Sequence, residues 1–413
     1  MKKLLAAILA VAMLLTFCAC GESTTEPTDA PSGDDVKTVK VGLICIGDEN
    51  DQGYTYNFIR GTETATEELK KEGIEVEWVI KYNLIEGDPV ATANEELAED
   101  GCAIVFNNSY GQEPAMLQVA PDYPDVQFVG LTNEGSWKDD LDNTHNAFSR
   151  IYEGRYLAGV VAGLKLQEMI DNGEIKADEA VIGYVGAYSY AEVVSGYTAY
   201  YLGAKSVCPS VSMKVQFVGS WSDATLEANA AQALLDQGAV IISQHSDNTT
   251  PATTAEKAGK FHTGYNADMI EAAPKASLVS TRIDWTNYFV YAIKAVANGE
   301  NFDQDYAHGL AEGEVVLTTL NEDICAKGTA DVLKDVEAKL ISGEIKVFDT
   351  NNFTVGGKKV ETAFAIDTNG DFVPDQGEAI VDGAFVESMV PGLMSAPYFN
   401  LAIDGITRLN EAF

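Results

Sequence analysis

Short runs of β-branched and aliphatic residues alternate with helical patterns from residue 39 onward, and this alternation constrains the fold of the chain more than any other feature. Residues 39–46 read as a buried strand, and apolar positions at Phe58, Ala65 and Leu69 carry a helix to a stop at Gly73. A strand at 76–80, a helix opening at Asp88-Pro89, and strands at 102–106 and 126–131 continue the pattern. Parallel strands need long crossovers, so successive β-α-β units of this kind predict a parallel sheet. After a small-residue apolar helix over 156–169 the same grammar restarts. Segments 181–186, 213–218, 240–243 and 261–265 read as strands of a second sheet, and another extended run at 277–283 leads into a helix over 287–298. The remainder differs in character, with a helix at 331–341 and hairpin-like strands at 346–348 and 360–366.

The N-terminus predicts where the molecule works. Residues 1–19 read as a lipoprotein signal peptide: Lys2-Lys3, then an apolar run over 4–15 too short to span a bilayer, then Ala19 before Cys20. Cys20 fits the lipidated position better than Cys18, because Phe17 is too bulky for a cleavage site. Residues 20–36 contain no aromatic residue, Leu or Ile, so they cannot build a core and form an acidic Pro/Ser/Thr tether. The expected location is the extracellular face of the cell membrane, held by lipid. The formal net charge of −36 argues against nucleic acid as a partner. Cys45, Cys102, Cys208 and Cys325 lack CxxC spacing and read as small hydrophobes rather than metal ligands or a redox pair, with a disulfide permitted by export.

Ligands of open α/β sheets lie beyond the carboxyl ends of the strands, so those loops are where function is expected. After the first strand comes Gly47-Asp48-Glu49-Asn50-Asp51-Gln52-Gly53-Tyr54-Thr55-Tyr56-Asn57, with a carboxylate at Asp51 and an aromatic ring at Tyr54. This set orients a flat heteroaromatic ligand, or else simply starts a helix, where Asp is favoured anyway. Later strands end in Asn107-Asn108-Ser109-Tyr110, Ala187-Tyr188-Ser189-Tyr190, Gly219-Ser220-Trp221-Ser222-Asp223, Gln244-His245-Ser246-Asp247 and Asn266-Ala267-Asp268. The sequence has no G-x-S-x-G, H-E-x-x-H, Walker A or G-x-G-x-x-G motif, which argues against an enzyme.

Asn50-Asp51-Gln52-Gly53-Tyr54 resembles the N-D-x-S/G-aromatic signature of the basic membrane protein family, the substrate-binding lipoproteins of ABC transporters. Tyr152-Glu153-Gly154-Arg155-Tyr156-Leu157-Ala158-Gly159 is the most specific match, and Gly219–Asp223, His245–Asp247, Gly264–Met269 and Trp285 are also similar. The resemblance implies a type I periplasmic-binding fold: two doubly wound parallel-sheet lobes with a ligand cleft between them. Lobe one would comprise 37–148 plus about 278–320, and lobe two 149–277 plus about 321–413. It further implies a small-molecule ligand, commonly a purine base or nucleoside, with an ABC permease as membrane partner. Carried onto this chain, the ligand-binding set is Asp51, Tyr54, Asn57, Ser109, Tyr110, Tyr188, Trp221, Asp247, Asn266, Asp268 and Trp285. Tyr54 and Trp221 would stack on the ring, Asp51, Ser109 and Asp247 would read its edge, and Asn266 and Asp268 would reach a sugar. Nucleoside binders of the family carry a lysine near Arg282-Ile283-Asp284-Trp285, whereas this chain has Asp284-Trp285, which is closer to the branch that takes a free base.

One segment stands apart. Asp367, Asn369, Asp371, Asp375 and Glu378 place oxygen ligands, with the Val373 carbonyl, at calcium-loop spacing. Phe372 occupies the position where that loop wants glycine and no helices flank it, so an acidic hairpin turn is the favoured reading over a structural calcium site, and no other cofactor is expected. The competing functions are the same fold with a flavin-type or other heteroaromatic ligand, an exported enzyme, and a surface adhesion lipoprotein.

Overall fold

The computed structural model describes residues 36–131, 141–368 and 373–412. The signal segment with Cys20, and Asn369 and Asp371 of the acidic loop, lie outside the described residues.

The first sheet is built from β1 (Lys37–Ile44), β2 (Ile74–Lys81), β3 (Ile104–Asn107), β4 (Gln127–Gly130) and β5 (Thr144–Ala147). Helices α1 (Tyr54–Lys71), α2 (Asp88–Glu99) and α3 (Glu113–Val119) are the crossovers. Helix α4 (Ile151–Asp171) carries the chain into the second sheet: β6 (Val181–Gly186), α5 (Ala191–Val207), β7 (Ser212–Phe217), α6 (Ala224–Asp236), β8 (Ile241–His245), α7 (Thr250–Lys257), β9 (Phe261–Tyr265) and β10 (Ser277–Ile283). Then α8 (Thr286–Asn298) returns to pack on α1 and β1, and β11 (Asp305–Tyr306) pairs with β5. β12 (Val315–Leu317) lies back on β10, followed by α9 (Thr329–Ile341). The hairpin β13 (Phe364–Ile366) and β14 (Gln376–Glu378), the pair β15 (Ile380–Val381) and β16 (Ala384–Phe385), and β17 (Ile406–Arg408) complete the chain.

The sheets run β11-β5-β4-β3-β1-β2 and β12-β10-β9-β8-β6-β7-β17, parallel throughout except where β12 meets β10. Each sheet therefore reverses its winding once, between β1 and β3 in one lobe and between β6 and β8 in the other. These are the switch points at which open α/β sheets leave a crevice.

The sequence boundary for the return to the first lobe, at about residue 278, falls inside strand β10 (Ser277–Ile283) and moves to its end. β10 pairs in parallel with β9, with a register shift between Ser277 and Ser280, and belongs to the second sheet, so the chain leaves that lobe only after Ile283. Segments 148–150, 284–285 and 307–314 cross between the two sheets and are tied to one another. Asp284 N–H donates to the Glu314 carbonyl (2.7 Å), Phe148 N–H to Tyr306 (3.0 Å) and Arg150 N–H to His308 (2.7 Å). The buried Glu314 carboxyl accepts from Ser149 Oγ (3.2 Å) and from the Tyr306 hydroxyl.

The apolar helix read at 156–169 packs against a helix as well as a sheet. A Cβ at Gly159 would lie 2.0 Å from the Tyr200 carbonyl, and one at Gly203 2.0 Å from that of Tyr156, so glycine on both sides lets α4 and α5 approach backbone to backbone. No helix among the described residues is long and apolar enough to cross a membrane. Cys45, Cys102 and Cys208 are buried, Cys325 is partly buried, and all four are free thiols.

Candidate ligand-binding site

A cavity of about 200 Å³ lies at the two switch points. The first lobe lines it with Ile46 after β1, Tyr54 at the start of α1, Ser109 and Tyr110 after β3, and Phe148 after β5. The second lobe contributes Tyr190, Ala191 and Glu192 at the start of α5, Trp221 after β7, His245 and Asp247 at the end of β8, and Tyr265 at the end of β9. Pro397, from the C-terminal segment, completes the wall.

Of the eleven residues predicted from sequence, five line this cavity: Tyr54, Ser109, Tyr110, Trp221 and Asp247. Tyr54 is fixed at both ends, its hydroxyl donating to the Leu131 carbonyl (2.9 Å) and its ring edge-on to Phe58 at 4.9 Å. Trp221 meets Tyr188 at 5.3 Å in a T, and Tyr188 stacks on Tyr190 at 5.1 Å, so Tyr188 backs two lining rings without lining the cavity itself. Ser109 donates its hydroxyl to Glu86 (2.8 Å), and Tyr110 sits exposed on the rim.

The other assignments change role. Asp51 caps α1: its carboxylate accepts from the N–H groups of Gly53 (2.8 Å), Thr55 (3.0 Å) and Tyr56 (3.1 Å), satisfying amides that a helix start leaves unpaired. Asn57 is buried and donates to the Ile283 carbonyl (2.5 Å), joining α1 to the end of β10. Trp285 stacks on Phe58 at 4.5 Å in the core beneath Tyr54. Asn266, in the left-handed region at φ 63°, donates to Asp247 (3.3 Å) and so holds that carboxyl rather than lining the cavity. Asp268 is exposed, accepts from Ile270 N–H (3.0 Å), and faces a separate polar opening with Arg60 and Arg282.

Asp247 is the centre of the site. Its Oδ1 accepts from Tyr54 N–H of the opposite lobe (3.0 Å) and from Asn266, so Oδ2 is the oxygen available to a ligand. Burial, with Asp51 and Glu227 nearby, pushes its carboxyl well above the usual carboxylate range. The lobes meet here at backbone distance. A Cβ on Gly53 would fall 2.6 Å from that of Asp247, so only glycine allows α1 to bring its first N–H onto the acid.

Sequence reasoning did not select Glu192, His245, Tyr265, Phe148, Ile46 or Pro397. A carboxylate only accepts, so His245 donates Nε2–H to Glu192 (2.6 Å) and takes the Tyr184 hydroxyl on Nδ1 (3.3 Å). Burial lowers the His245 pKa and keeps it neutral, so this oriented chain fixes Glu192 at the cavity edge. Behind it, the buried Arg155 guanidinium lies 3.5 Å from the Tyr265 ring centre and donates to the Gln244 carbonyl (2.9 Å). The signal for Glu192 was in reach, since the loop holding Tyr188 and Tyr190 runs directly into it.

β13 and β14, which flank the acidic loop, pair antiparallel. Thr368 Oγ1 donates to both Asp375 oxygens (2.7 and 2.9 Å), and Glu378 accepts from the N–H groups of Ala363 (3.1 Å) and Ile380 (3.0 Å). Both amides share Glu378 Oε1. Among the described residues no group of three or more His, Cys, Asp or Glu side chains is placed to hold a metal.

A family model for PnrA-like ABC transporter substrate-binding proteins, Bmp, matches residues 38–351. A purine-binding protein of Brucella abortus is 34% identical over 328 residues, covering 78% of this chain and 89% of that protein. A Haloferax volcanii protein that carries the name of an ABC transporter glucose-binding protein is 26% identical over 328 residues, 79% of this chain and 78% of that one. Among solved structures, a solute-binding protein from Aeropyrum pernix superimposes with a TM-score of 0.62 at 18% identity, over 75% of this chain and 93% of that one. One from Conexibacter woesei does so at 0.57 and 22%, over 75% and 98%. These structures share the fold.

Proposed function

This chain belongs to the Bmp family of PnrA-like ABC transporter substrate-binding proteins, and we propose that it captures a free purine base for a membrane permease, tethered to the outer face of the membrane through Cys20. The family is one of solute-binding proteins rather than enzymes. The observation that carries the ligand class is the pairing of aromatic walls with a buried acid, Asp247, whose carboxyl burial pushes above the usual carboxylate range. Tyr54, Tyr110, Tyr190 and Trp221 suit the faces of a flat ring. With Oδ1 taken by Tyr54 N–H and Asn266, Asp247 presents Oδ2 alone, one polar contact for the edge of a base: a ring N–H or, where the carboxyl is protonated, a ring nitrogen. Glu192, held by His245, accepts from a further N–H.

A base suits the site better than a nucleoside. The cavity is smaller than the roughly 300–1,000 Å³ of pockets for drug-sized ligands. Asn266 and Asp268, the residues expected to reach a ribose, do not line the cavity, and Asn266 turns its Nδ2 to Asp247. The similarity to a Brucella purine-binding protein supports the same class.

Calorimetric titration with adenine, guanine, hypoxanthine, adenosine, riboflavin and glucose tests this reading. The expected result is a base bound more tightly than its nucleoside, with binding lost in Tyr54→Ala and weakened in Asp247→Ala, because an unpaired buried group costs more than a missing contact. Binding of glucose or riboflavin with silence across the purines would overturn it.

A further inference from the structure

The family match ends at residue 351, yet the cavity wall is finished by Pro397. The segment that delivers it crosses from one lobe to the other. On the first lobe, Ser395 donates its N–H (2.9 Å) and hydroxyl (2.8 Å) to the Asp305 carboxylate of β11, and its carbonyl accepts from Asn146 of β5 (2.7 Å). Asn146 also donates to Asp305 (2.8 Å), so three polar groups close on one another. Pro397 follows at the cavity, and Phe399 then stacks on Phe348 at 4.4 Å.

On the second lobe, β17 adds to the edge of β7, with Ile406, Thr407 and Arg408 opposite Met213, Lys214 and Val215. Asn410 exchanges two bonds with the Phe217 backbone (2.8 and 2.9 Å). Ala412 exchanges two more with Ser189 (2.7 and 2.9 Å), the residue between the stacked Tyr188 and Tyr190. The tail is thus fixed to the first lobe before the cavity, to the second lobe after it, and to the aromatic loop at its end.

We infer that this C-terminal segment is a selectivity element: it makes Pro397 a fixed wall that limits ligand size, and it ties the lobes so that the ligand-free protein stays near its closed form. Two physical consequences follow. A fixed wall excludes a substituent that a free one would yield to, so discrimination between a base and its larger nucleoside depends on it. A chain joining both lobes also raises the fraction of molecules already competent to bind, which tightens apparent affinity by the same factor. The size-limit arm rests on the purine-base reading above, whereas the tie between lobes does not.

The experiment uses the mature chain with Pro397→Ala, Asp305→Ala and Ser395→Ala. Adenine and adenosine are titrated into each, and the interlobe distance is measured by a nitroxide pair on cysteines placed at exposed Glu95 and Gln232, with Cys325→Ser. Pro397→Ala is expected to lower adenine affinity about fivefold to tenfold, the loss of one well-packed apolar contact, and to narrow the adenine-to-adenosine ratio. Asp305→Ala and Ser395→Ala are expected to broaden the distance distribution of the ligand-free protein and to weaken adenine binding, with the cavity residues intact. Unchanged affinities and ratio in Pro397→Ala overturn the wall. An unchanged distribution in both unpinned variants overturns the tie, and that arm decides even if the wild type binds no purine, an outcome that removes the ligand reading instead.

Discussion

Replacing Glu387 by glutamine should make the protein more stable, and increasingly so as pH rises. The carboxyl is fully buried where the C-terminal segment passes behind α5, close to Ser195, with Oε1 lacking a partner. Burial pushes its pKa from 4.5 up to about 8. Between those values the folded protein holds a proton that the unfolded chain has released, so folding takes up a proton and stability falls as pH rises. The slope for one proton is about 1.4 kcal/mol per pH unit, or about 5 kcal/mol across the window, and nothing further is lost above pH 8. Glutamine keeps the shape and removes the titration. Urea unfolding at pH 5, 6, 7 and 8, followed by tryptophan fluorescence at constant m-value, should show near-equal stabilities at pH 5 and a variant advantage of several kcal/mol at pH 8. Wild-type and variant curves that stay parallel across the range would refute the argument.

Three further outcomes are expected. Cys20→Ala expressed from the full chain in a Gram-positive host should release the protein from the membrane fraction while Cys18→Ala retains it; equal retention would remove the anchor assignment. Gly53→Ala should weaken adenine binding by at least about tenfold with little loss of thermal stability, because the new Cβ would lie 2.6 Å from Asp247 Cβ and hold the lobes apart rather than disturb either core. Millimolar calcium should leave the thermal midpoint unchanged relative to chelator, since Glu378 already serves two backbone amides; a rise of several degrees would instead support a calcium site at 367–378.

The strands legible in the sequence were those buried by apolar residues, such as 181–186 and 261–265, where composition and burial say the same thing. β5 was not legible, because Thr144-His145-Asn146-Ala147 is buried through polar partners. His145 meets Gln127 (2.8 Å) and the Asp303 carbonyl (3.0 Å), and Asn146 meets Asp305 and Ser395. Such a strand carries no hydrophobic pattern to read. Nor does local pattern say which sheet a strand joins, which is why β10 was placed a lobe too early. In the site, the strand-end rule reached Tyr54, Ser109, Tyr110, Trp221 and Asp247, since topology alone puts those loops at the crevice. It missed Pro397, which arrives from a segment that obeys no such rule. Motif position misled in the opposite direction for Asn57 and Trp285, whose burial serves the packing under the site.

The exchange of roles between Asp51 and Asp247 explains why the Asn50-to-Tyr54 motif sits where it does. Asp51 spends both oxygens on α1 amides and thereby fixes the direction in which the helix begins. Gly53 removes the side chain that would block the next lobe, and Tyr54 then offers its N–H to Asp247 across the cleft while its ring faces the cavity. Asp51, Gly53 and Tyr54 of the motif therefore serve the approach of the lobes as much as contact with a ligand. Because Asp247 takes that N–H on Oδ1, a ligand bound at Oδ2 uses the acid that already joins the lobes. A ligand edge that keeps the carboxyl protonated preserves the arrangement, whereas one that demands an ionised Asp247 must overcome burial beside Asp51 and Glu227.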